Sequence, residues 1–469
     1  MKHRLAVIAS FGILTISARA QGQVKQVAKS VLISAPVPQN TFALAMTAAH
    51  PPQTQSDAPT DTTSTIQLTL KQAEALAIKQ NPQISVGRLS ALAARQVTRE
   101  ARSALWPTSS VDLTAVDARD NSRITAGGLN NPIIYDRAAA GANVSQLITD
   151  FGHTSNLVSS ASYAAKAENQ NAMATQQQIL LAVDQAFYGA LQAQALLTVA
   201  QQTVSARQTV TDQVQALFDN KLKSQLDLSF ANVNLAQAKL LLLDGENNQK
   251  SALATLSSIL GYDNLQNFAL VEDGETAVAP PASINDLIAQ ALNLRPEIRA
   301  LDFQFKAAEK FHNAERDQLL PSIRALGAIG DTPVRDPVLS NWYATAGVNM
   351  DIPVFNGFLY PAQSREAKLR EQAAQERLRD LRNRISRDVR SSWLNANTAY
   401  QRLSVTQQLL DQANLALSLA ETRYKLGLSS IVELSQAQLQ QTQAQISGAQ
   451  AGYDYRLALA VLRYQTTGI

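Results

Sequence analysis

The sequence predicts a mainly α-helical protein with a small β part, built from two copies of one unit. Shifted by 206 positions, the second half aligns on the first over a long stretch without a gap. The aligned pairs include Gly141 with Gly347, Phe187 with Trp393, Phe218 with Tyr424, and Asp227 with Glu433. Upstream the shift is 214, so one loop is 214 − 206 = 8 residues longer in the first copy. A repeat of this size dictates the architecture of the whole chain.

The first residues predict an export signal. Lys2 and Arg4 precede an apolar run at residues 5–16, and the run is followed by Ala18-Arg19-Ala20, which matches an A-x-A cleavage site. A membrane-spanning helix is the alternative, but the run is too short for the roughly 30 Å hydrocarbon layer of a bilayer. We therefore expect residues 1–20 to be a signal peptide. Its removal takes three basic residues, leaving 41 − 3 = 38 against 38 acidic residues, so the charge does not favour nucleic-acid binding.

Composition excludes other classes. The chain has no cysteine, which rules out a disulfide scaffold, a thiolate metal site and a lipid-anchored N-terminal Cys. Residues 21–65 are rich in Gln, Pro, Thr, Ser and Ala. Such a segment buries too little apolar surface to offset its chain entropy, so a disordered arm is predicted there.

Each copy shows the same order of elements, beginning with a helix and two short strands. In the first copy a helix is predicted from about Leu70 to about Leu105, where Trp106-Pro107 breaks it. Residues 111–115 alternate apolar and polar side chains and predict a strand. A polar loop at about 117–137 and a second strand at about 138–148 follow. The second copy has equivalent strands at residues 323–329 and 344–352.

Long helices carry the strongest pattern. Apolar or small residues recur at alternating spacings of four and three in both copies, and this pattern predicts a heptad seam that supercoils against a neighbouring helix. The first seam is Ile179, Val183, Ala186, Ala190, Ala193, Leu197, Ala200 and Val204; the second is Ile385, Val389, Ser392, Ala396, Ala399, Leu403, Thr406, Leu410, Ala413, Leu417, Ala420 and Tyr424. A helix from about Thr154 to Phe218 would be roughly 100 Å long at 1.5 Å per residue. The predicted domains are residues 66–262 and 283–469, joined by a linker at 263–282.

Four amphipathic strands per chain constrain the assembly. Single-chain membrane barrels begin at eight strands, and open sheet edges are not tolerated in lipid. If the strands face a membrane, several chains must share one barrel. Because each long helix has strands at one end and a tight turn at the other, helical hairpins would extend from a short barrel.

Several motifs follow one another in a recognisable order. They are residues 68–73 (LTLKQA) before Asn81-Pro82, residues 150–152 (DFG) after the second strand, and residues 423–434 (RYKLGLSSIVEL) at the second hairpin turn. With the duplication, they make residues 66–469 resemble the TolC family of outer membrane efflux proteins.

The resemblance implies a homotrimer in outer-membrane lipid, with a twelve-stranded β-barrel shared by three chains and a long periplasmic α-barrel of coiled-coil hairpins. It implies export of drugs, metals or other small molecules, or type I protein secretion. The implied partners are a periplasmic membrane-fusion adaptor and an inner-membrane transporter of the RND, ABC or MFS class, with no nucleic acid.

The residues are also compatible with two other functions, a secreted coiled-coil stalk or the periplasmic adaptor itself. A stalk has no use for paired strands at equivalent places in both copies, and the extra β-domains of an adaptor are absent from the sequence. An enzyme is least favoured. The sequence contains no Gly-rich phosphate loop, no G-x-S-x-G and no His-x-x-x-His. No catalytic residue, cofactor or metal site is predicted, and structural roles are expected for His153 and His312.

The two hairpin turns are the candidate site. From the residues alone, the second turn is as well explained by a purely structural role, a helix C-cap followed by a solvated first turn, as by a functional one. The resemblance implies that these tips close the periplasmic entrance and receive the adaptor. The candidate residues are Phe218, Lys221, Leu222, Lys223, Asp227, Tyr424, Gly427, Leu428, Ser429 and Glu433.

Three departures from the family pattern shape the expectations for the gate. Lys221 stands where Gly is usual, so Asn220 or a neighbour is expected to absorb the strain of the turn. Ser429 replaces an arginine and Gln436 an acid. A hydrogen bond between Tyr424 and Asp227 is therefore expected to hold the gate, without a salt bridge to arginine, for which Lys223 offers a substitute.

A run of six arginines lies on the second long helix: Arg377, Arg379, Arg382, Arg384, Arg387 and Arg390. Glu376, Asp380 and Asp388 lie three or four residues from several of them. A neutralised, solvated helix face is predicted, with a charge ring inside a tunnel as the alternative.

Overall fold

The computed structural model describes residues 66–467, apart from residues 117–121, 127–128, 135–136, 273–277 and 335–339. The predicted signal peptide and N-terminal arm lie outside the described residues. In chain order the elements are β1 (Ile66–Leu68), α1 (Leu70–Gln80), α2 (Pro82–Ser103), β2 (Thr108–Val116), β3 (Ser122–Ala126), β4 (Leu129–Ile134), β5 (Arg137–Thr149), α3 (His153–Asp219), α4 (Gln225–Leu260), β6 (Phe268–Leu270), α5 (Ile284–Leu294), α6 (Pro296–Asp317), β7 (Ser322–Val334), β8 (Trp342–Asp351), α7 (Leu359–Lys425) and α8 (Ile431–Thr467).

The duplication is visible in the lengths of the elements. α3 and α7 both have 67 residues, and α4 and α8 have 36 and 37. α3 packs along α4, and α7 packs along α8, so each copy forms one long helical hairpin. Every predicted seam position of α3 and α7 is buried or half-buried, which confirms the heptad prediction.

The single helix predicted from Leu70 to Leu105 is wrong, because the structure has two helices that meet at Asn81-Pro82. Proline lacks the N–H that a continuous helix needs, and it disfavours helical backbone in the residue before it. Asn81 accordingly has ψ 123°, and its Oδ1 accepts a hydrogen bond from the Gln83 N–H at 2.8 Å. The second copy breaks in the same way at Arg295-Pro296.

The four predicted strands form one antiparallel sheet in the order β2-β5-β7-β8. β5 and β7 pair across the two copies, with Ala142 opposite Ile329, so the sheet joins the repeats. β2 and β8 lie at its edges. Both copies must therefore fold together to complete the sheet.

Two segments predicted without regular structure contain strands. The loop at 117–137 holds the antiparallel pair β3 and β4. The linker at 263–282 holds β6, which pairs in parallel with β1, so that Ile66 lies opposite Phe268. Both pairings are short. Leu68 and Phe268 are buried against α3 near Phe187, and this contact fixes β1 to the helical bundle.

A tight corner connects the sheet to α3. Phe151 and Gly152 both have positive φ, at 53° and 118°. The Asp150 carboxylate accepts hydrogen bonds from the Gly152 and Thr154 N–H groups at 3.3 and 2.8 Å. It thereby satisfies amide groups at the start of α3 that have no partner within the helix. The DFG motif is thus a strand-to-helix corner.

Within the described residues, no helix combines the length and the apolar character needed to cross a bilayer.

Candidate functional site at the helical tips

The two hairpin turns have the same backbone design. Leu222 N–H donates to Leu217 O at 2.8 Å, and Leu428 N–H donates to Arg423 O at 2.8 Å. These bonds, from the second residue beyond the C-cap residues Asn220 and Leu426, close a Schellman-type end, which needs one residue with positive φ. Gly427 supplies that residue in the second turn, with φ 73°.

Lys221 takes this position in the first turn with φ 60°, while Asn220 keeps φ −85°. Asn220 or a neighbour was expected to absorb the strain, and the left-handed backbone lies not at Asn220 but at its neighbour Lys221. The bond pattern fixes which residue must be left-handed, and Lys221 is the counterpart of Gly427 at the repeat distance. The asymmetry leaves the first turn with a strained non-glycine residue.

Each returning helix begins with a serine cap. Ser224 Oγ accepts from the Asp227 N–H at 3.2 Å, and the Asp227 carboxylate accepts from the Ser224 N–H at 3.1 Å and from its hydroxyl at 2.7 Å. In the second copy Ser430 Oγ accepts from the Glu433 N–H at 3.4 Å. The reciprocal bonds of Ser224 and Asp227 form a capping box. The hydrogen bond from the Ser224 hydroxyl lowers the pKa of Asp227.

The tips of the two hairpins pack on each other. Leu228, Ile431 and Leu434 are buried in one cluster, and Phe218 and Tyr424 pack against it. Asn234 Nδ2 donates to Ser435 Oγ at 2.7 Å, which links α4 to α8. The structure thus brings the residues of the two predicted turns together at one end of the bundle.

The expected hydrogen bond between the Tyr424 hydroxyl and the Asp227 carboxylate is not made, so this prediction is wrong. The Tyr424 hydroxyl is buried and has no hydrogen-bond partner among the described residues. Asp227 is held by its capping box instead. Burial, followed by the nearby negative charge of Asp227, raises the pKa of Tyr424.

Two cationic contacts hold the tips. Lys223 Nζ lies 4.1 Å from the centre of the Tyr424 ring, a cation–π contact between the first turn and the second. Arg423 Nε lies 3.1 Å from Glu433 Oε1 across the second turn. Arg423 is not among the predicted site residues, because the expected arginine was the one that Ser429 replaces. The ten-residue spacing of Arg423 and Glu433 around a tight turn is the signal that identifies the pair.

Apolar side chains cover the outer surface of the tips. Leu222, Leu226, Leu426 and Leu428 are each between 65% and 69% exposed. They alternate with Lys221, Lys425 and other polar residues of the turns. Leu222 and Leu428 occupy the same place in the two copies (428 − 222 = 206), and the four exposed leucines form a candidate docking patch rather than part of the core.

At the opposite end of α3 and α7, the sheet has one apolar face. Side chains of β2, β5, β7 and β8 that share this face by register are Val111, Leu113, Val144, Ile329, Trp342 and Val348, and all are exposed. The other face carries Asp112, Asn143 and Asn349. Asn143 Nδ2 donates to the Asp112 carboxylate at 2.5 Å on that face.

The remaining predicted residues have structural contacts. His153 Nδ1 lies 2.8 Å from Ala314 O, and His312 Nδ1 lies 2.8 Å from Glu371 Oε2. No group of three metal-ligating side chains occurs in the described part of the chain.

The arginine run on α7 is exposed. Arg379 and Arg384 pair with Glu376 and Asp380 at spacings of three and four residues, and Arg387 pairs with the adjacent Asp388. Half of the run is therefore neutralised within α7, while the choice of a solvated face over a charge ring in a tunnel stays a prediction.

Comparison with known proteins agrees with this architecture. Residues 75–262 and 287–467 match the family model described as outer membrane efflux protein. The chain is 24% identical over 418 residues to outer membrane protein TolC of Salmonella enteritidis, covering 84% of this chain and 82% of that protein. It is 24% identical over 324 residues to the outer membrane efflux protein BepC of Brucella suis, covering 68% and 69%. The fold resembles the structure of VceC from Vibrio cholerae, with a TM-score of 0.75 at 17% identity over 85% of this chain and 96% of that one.

The family model covers both repeats and almost every described element, including the two hairpins and their tips. Members of this family are outer-membrane channels rather than enzymes. The chain therefore belongs to the outer membrane efflux protein family.

Proposed function

We propose that three copies of this chain form an export channel across the outer membrane, with the helical hairpins as a periplasmic tunnel. An inner-membrane transporter would deliver drugs, metal ions, other small molecules or proteins through a periplasmic adaptor. The match to the family model establishes the efflux family and the outer-membrane location. The trimer, the cargo and the partners are what we propose beyond that match.

One observation supports the proposal of a trimer. The four-stranded sheet has an exposed apolar face and two open edges, β2 and β8. Open edges in lipid leave backbone groups without partners, at a cost of several kcal/mol per group. Four strands are too few to close on themselves, whereas three copies supply twelve. In the closed barrel β8 of each copy would pair with β2 of the next. A secreted coiled-coil stalk would have no need of an exposed apolar sheet face.

Cysteine cross-linking tests this assembly, because the chain has no cysteine of its own. Asp112→Cys on β2 would be combined in turn with Tyr343→Cys, Thr345→Cys, Gly347→Cys and Asn349→Cys on β8, which scans the register along one face. We expect one or two of these pairs to give oxidant-dependent dimers and trimers in membranes. A chain that has the mass of a monomer in mild detergent, and does not cross-link at any register, would rule out the shared barrel.

We further propose that the tips form the closable periplasmic entrance and the adaptor-docking surface. The supporting contacts are the Lys223–Tyr424 cation–π contact between the two hairpins and the exposed leucines of both turns. A contact of this kind stabilises by about 0.5–2 kcal/mol, so the closed tips are held weakly.

Single-channel recording tests the gate. Lys223→Ala removes the contact between the two turns, and we expect a higher conductance or more frequent openings in planar bilayers. Tyr424→Phe keeps the ring and removes a hydroxyl that has no partner, so it should conduct like the wild type. Lys239→Ala, an exposed residue of α4, is the matched control. If Lys223→Ala and Lys239→Ala behave alike, the gate is held by other residues.

A further inference from the structure

A cavity lies beside the tips, between α3 and the hairpin of α7 and α8. Its volume is about 400 Å³, within the range of pockets that hold small molecules. Most of its lining residues are polar, with amide and hydroxyl side chains contributed by the helices around it. They include Gln202, Gln213, Gln438, Gln441, Gln445, Thr203 and Thr442.

Arg207 lies in this wall, at a position that continues the heptad seam of α3 beyond Val204. It is only 8% exposed. Its one hydrogen bond among the described residues runs from Nη2 to Thr442 Oγ1 at 3.4 Å, which is long for an N–H···O bond. A guanidinium has five N–H donors, so most of the donors of Arg207 have no partner among the described residues.

No carboxylate in the described part of the chain lies within ion-pair distance of Arg207. A buried cation without a counter-ion is costly, and buried arginines are ordinarily paired. Burial also lowers the pKa of Arg207. The Tyr424 hydroxyl, on the same cavity wall, is buried and has no hydrogen-bond partner among the described residues.

The charges around the cavity favour an anion. Arg207 and Lys425 are its basic residues, and Glu421 is its one acid. The planar fork of a guanidinium matches a carboxylate, to which it can donate two parallel hydrogen bonds. The surrounding amides would hydrogen-bond the polar remainder of an organic ligand.

We propose that this cavity is a binding site for a small organic anion, in which Arg207 pairs with a carboxylate group of the ligand. A ligand paired with Arg207 would connect α3 to α7 and α8 about three turns from the end of α3 (219 − 207 = 12 residues, at 3.6 residues per turn), and it would therefore tie the two hairpins together.

Calorimetric titration of the purified mature protein in detergent tests the proposal, with succinate as the probe at constant chloride and ionic strength. We expect one succinate per chain. Succinamide, which has a similar shape and no charge, should not bind. Arg207→Gln should weaken succinate binding at least about tenfold, which corresponds to about 1.4 kcal/mol. Arg207→Lys, which keeps the charge and loses the fork, should retain part of the affinity.

Arg390→Gln, an exposed arginine of α7, is the matched control and should bind succinate like the wild type. Circular dichroism and elution as the native assembly would show that each variant is folded. Hydrogen exchange adds a second measurement, since succinate should slow exchange at residues 202–213 in the wild type and not in Arg207→Gln. The proposal is overturned if succinate does not bind the wild type, if succinamide binds equally well, or if Arg207→Gln retains full affinity.

Discussion

Asp184 lies in an environment that is unfavourable for a charged carboxylate. It is 2% exposed on α3, and its Oδ1 has no hydrogen-bond partner among the described residues. Burial, with the neighbouring Glu74 carboxylate as the next cause, raises its pKa from 3.8 to about 7, although Arg463 acts in the opposite direction. A carboxyl group in such a place is neutral over much of the acidic range.

This shift predicts a dependence of stability on pH. The unfolded chain loses the Asp184 proton near pH 3.8 and the folded chain near pH 7, so the folded state binds more protons between these values. The stabilisation is complete below about pH 4 and is lost as the pH rises to about 7. We expect Asp184→Asn to flatten this dependence and to stabilise the protein at pH 8 by about 2–4 kcal/mol.

Thermal unfolding of wild type and Asp184→Asn between pH 4 and pH 8 would measure the effect. Asp244→Asn, an exposed residue of α4, serves as the control and should leave the pH profile unchanged. Parallel profiles for Asp184→Asn and wild type would contradict the raised pKa.

Lys221 and Gly427 predict opposite responses to substitution. Left-handed backbone costs a non-glycine residue about 1–2 kcal/mol, so Lys221→Gly should stabilise the first tip by about 1 kcal/mol. No atom lies within 4 Å of a side-chain carbon added at Gly427, so Gly427→Ala should destabilise the second tip through the backbone alone. Hydrogen exchange in the last turns of α3 and α7 would measure both effects. Faster exchange in Lys221→Gly would show that its side chain contributes more than its strain costs.

In the sheet, one aromatic side chain packs over positions that have no side chain of their own. Tyr343 on β8 lies over Gly141 on β5 and Gly330 on β7, so that its ring covers a part of the sheet without side chains. A Cβ at Gly330 would lie 2.5 Å from Tyr343 Cζ and 2.7 Å from the Ala140 carbonyl oxygen. A ring can move aside, whereas the backbone of a paired strand cannot move without loss of its hydrogen bonds.

A double-mutant comparison follows from this difference. Gly141→Ala and Gly330→Ala should each destabilise the sheet by about 1–3 kcal/mol, as overpacking does. Tyr343→Ala should rescue Gly141→Ala, whose nearest backbone neighbour is the Ile329 oxygen at 3.4 Å. It should not rescue Gly330→Ala, because the clash with the Ala140 oxygen remains. The thermal midpoints of the three single variants, the two double variants and the wild type are the measurement, and equal rescue of both glycine substitutions would contradict the assignment.

For the whole molecule, the helical bundle and the sheet lie within residues 66–467, and the N-terminal arm predicted at 21–65 lies outside the described residues. We expect a chain without residues 22–64 to be exported, to assemble and to transport like the full chain, because a disordered arm contributes no packing. Mass measurement in detergent and an export assay would test this. Loss of assembly on deletion would show that the arm packs against the folded part.

The sequence determined by itself the features that depend on local or periodic chemistry. The 206-residue repeat predicted equal helices in both copies, the seam from Ile179 to Val204 predicted the buried stripe of α3, and the alternation at 111–115 predicted a strand. These predictions succeeded because periodicity states which face of an element is buried, whatever the face packs against.

Tertiary structure decided the features that depend on which residues meet across the fold. Asp227 and Tyr424 are 197 residues apart (424 − 227), and the local capping box of Ser224 keeps the carboxylate that the distant phenol was expected to bind. The pairing of β1 with β6, the contact of Lys223 with Tyr424 and the burial of Arg207 likewise join distant segments. The chain pattern shows the face on which such a residue lies but not its neighbour, because the neighbour is fixed only when the two hairpins pack together.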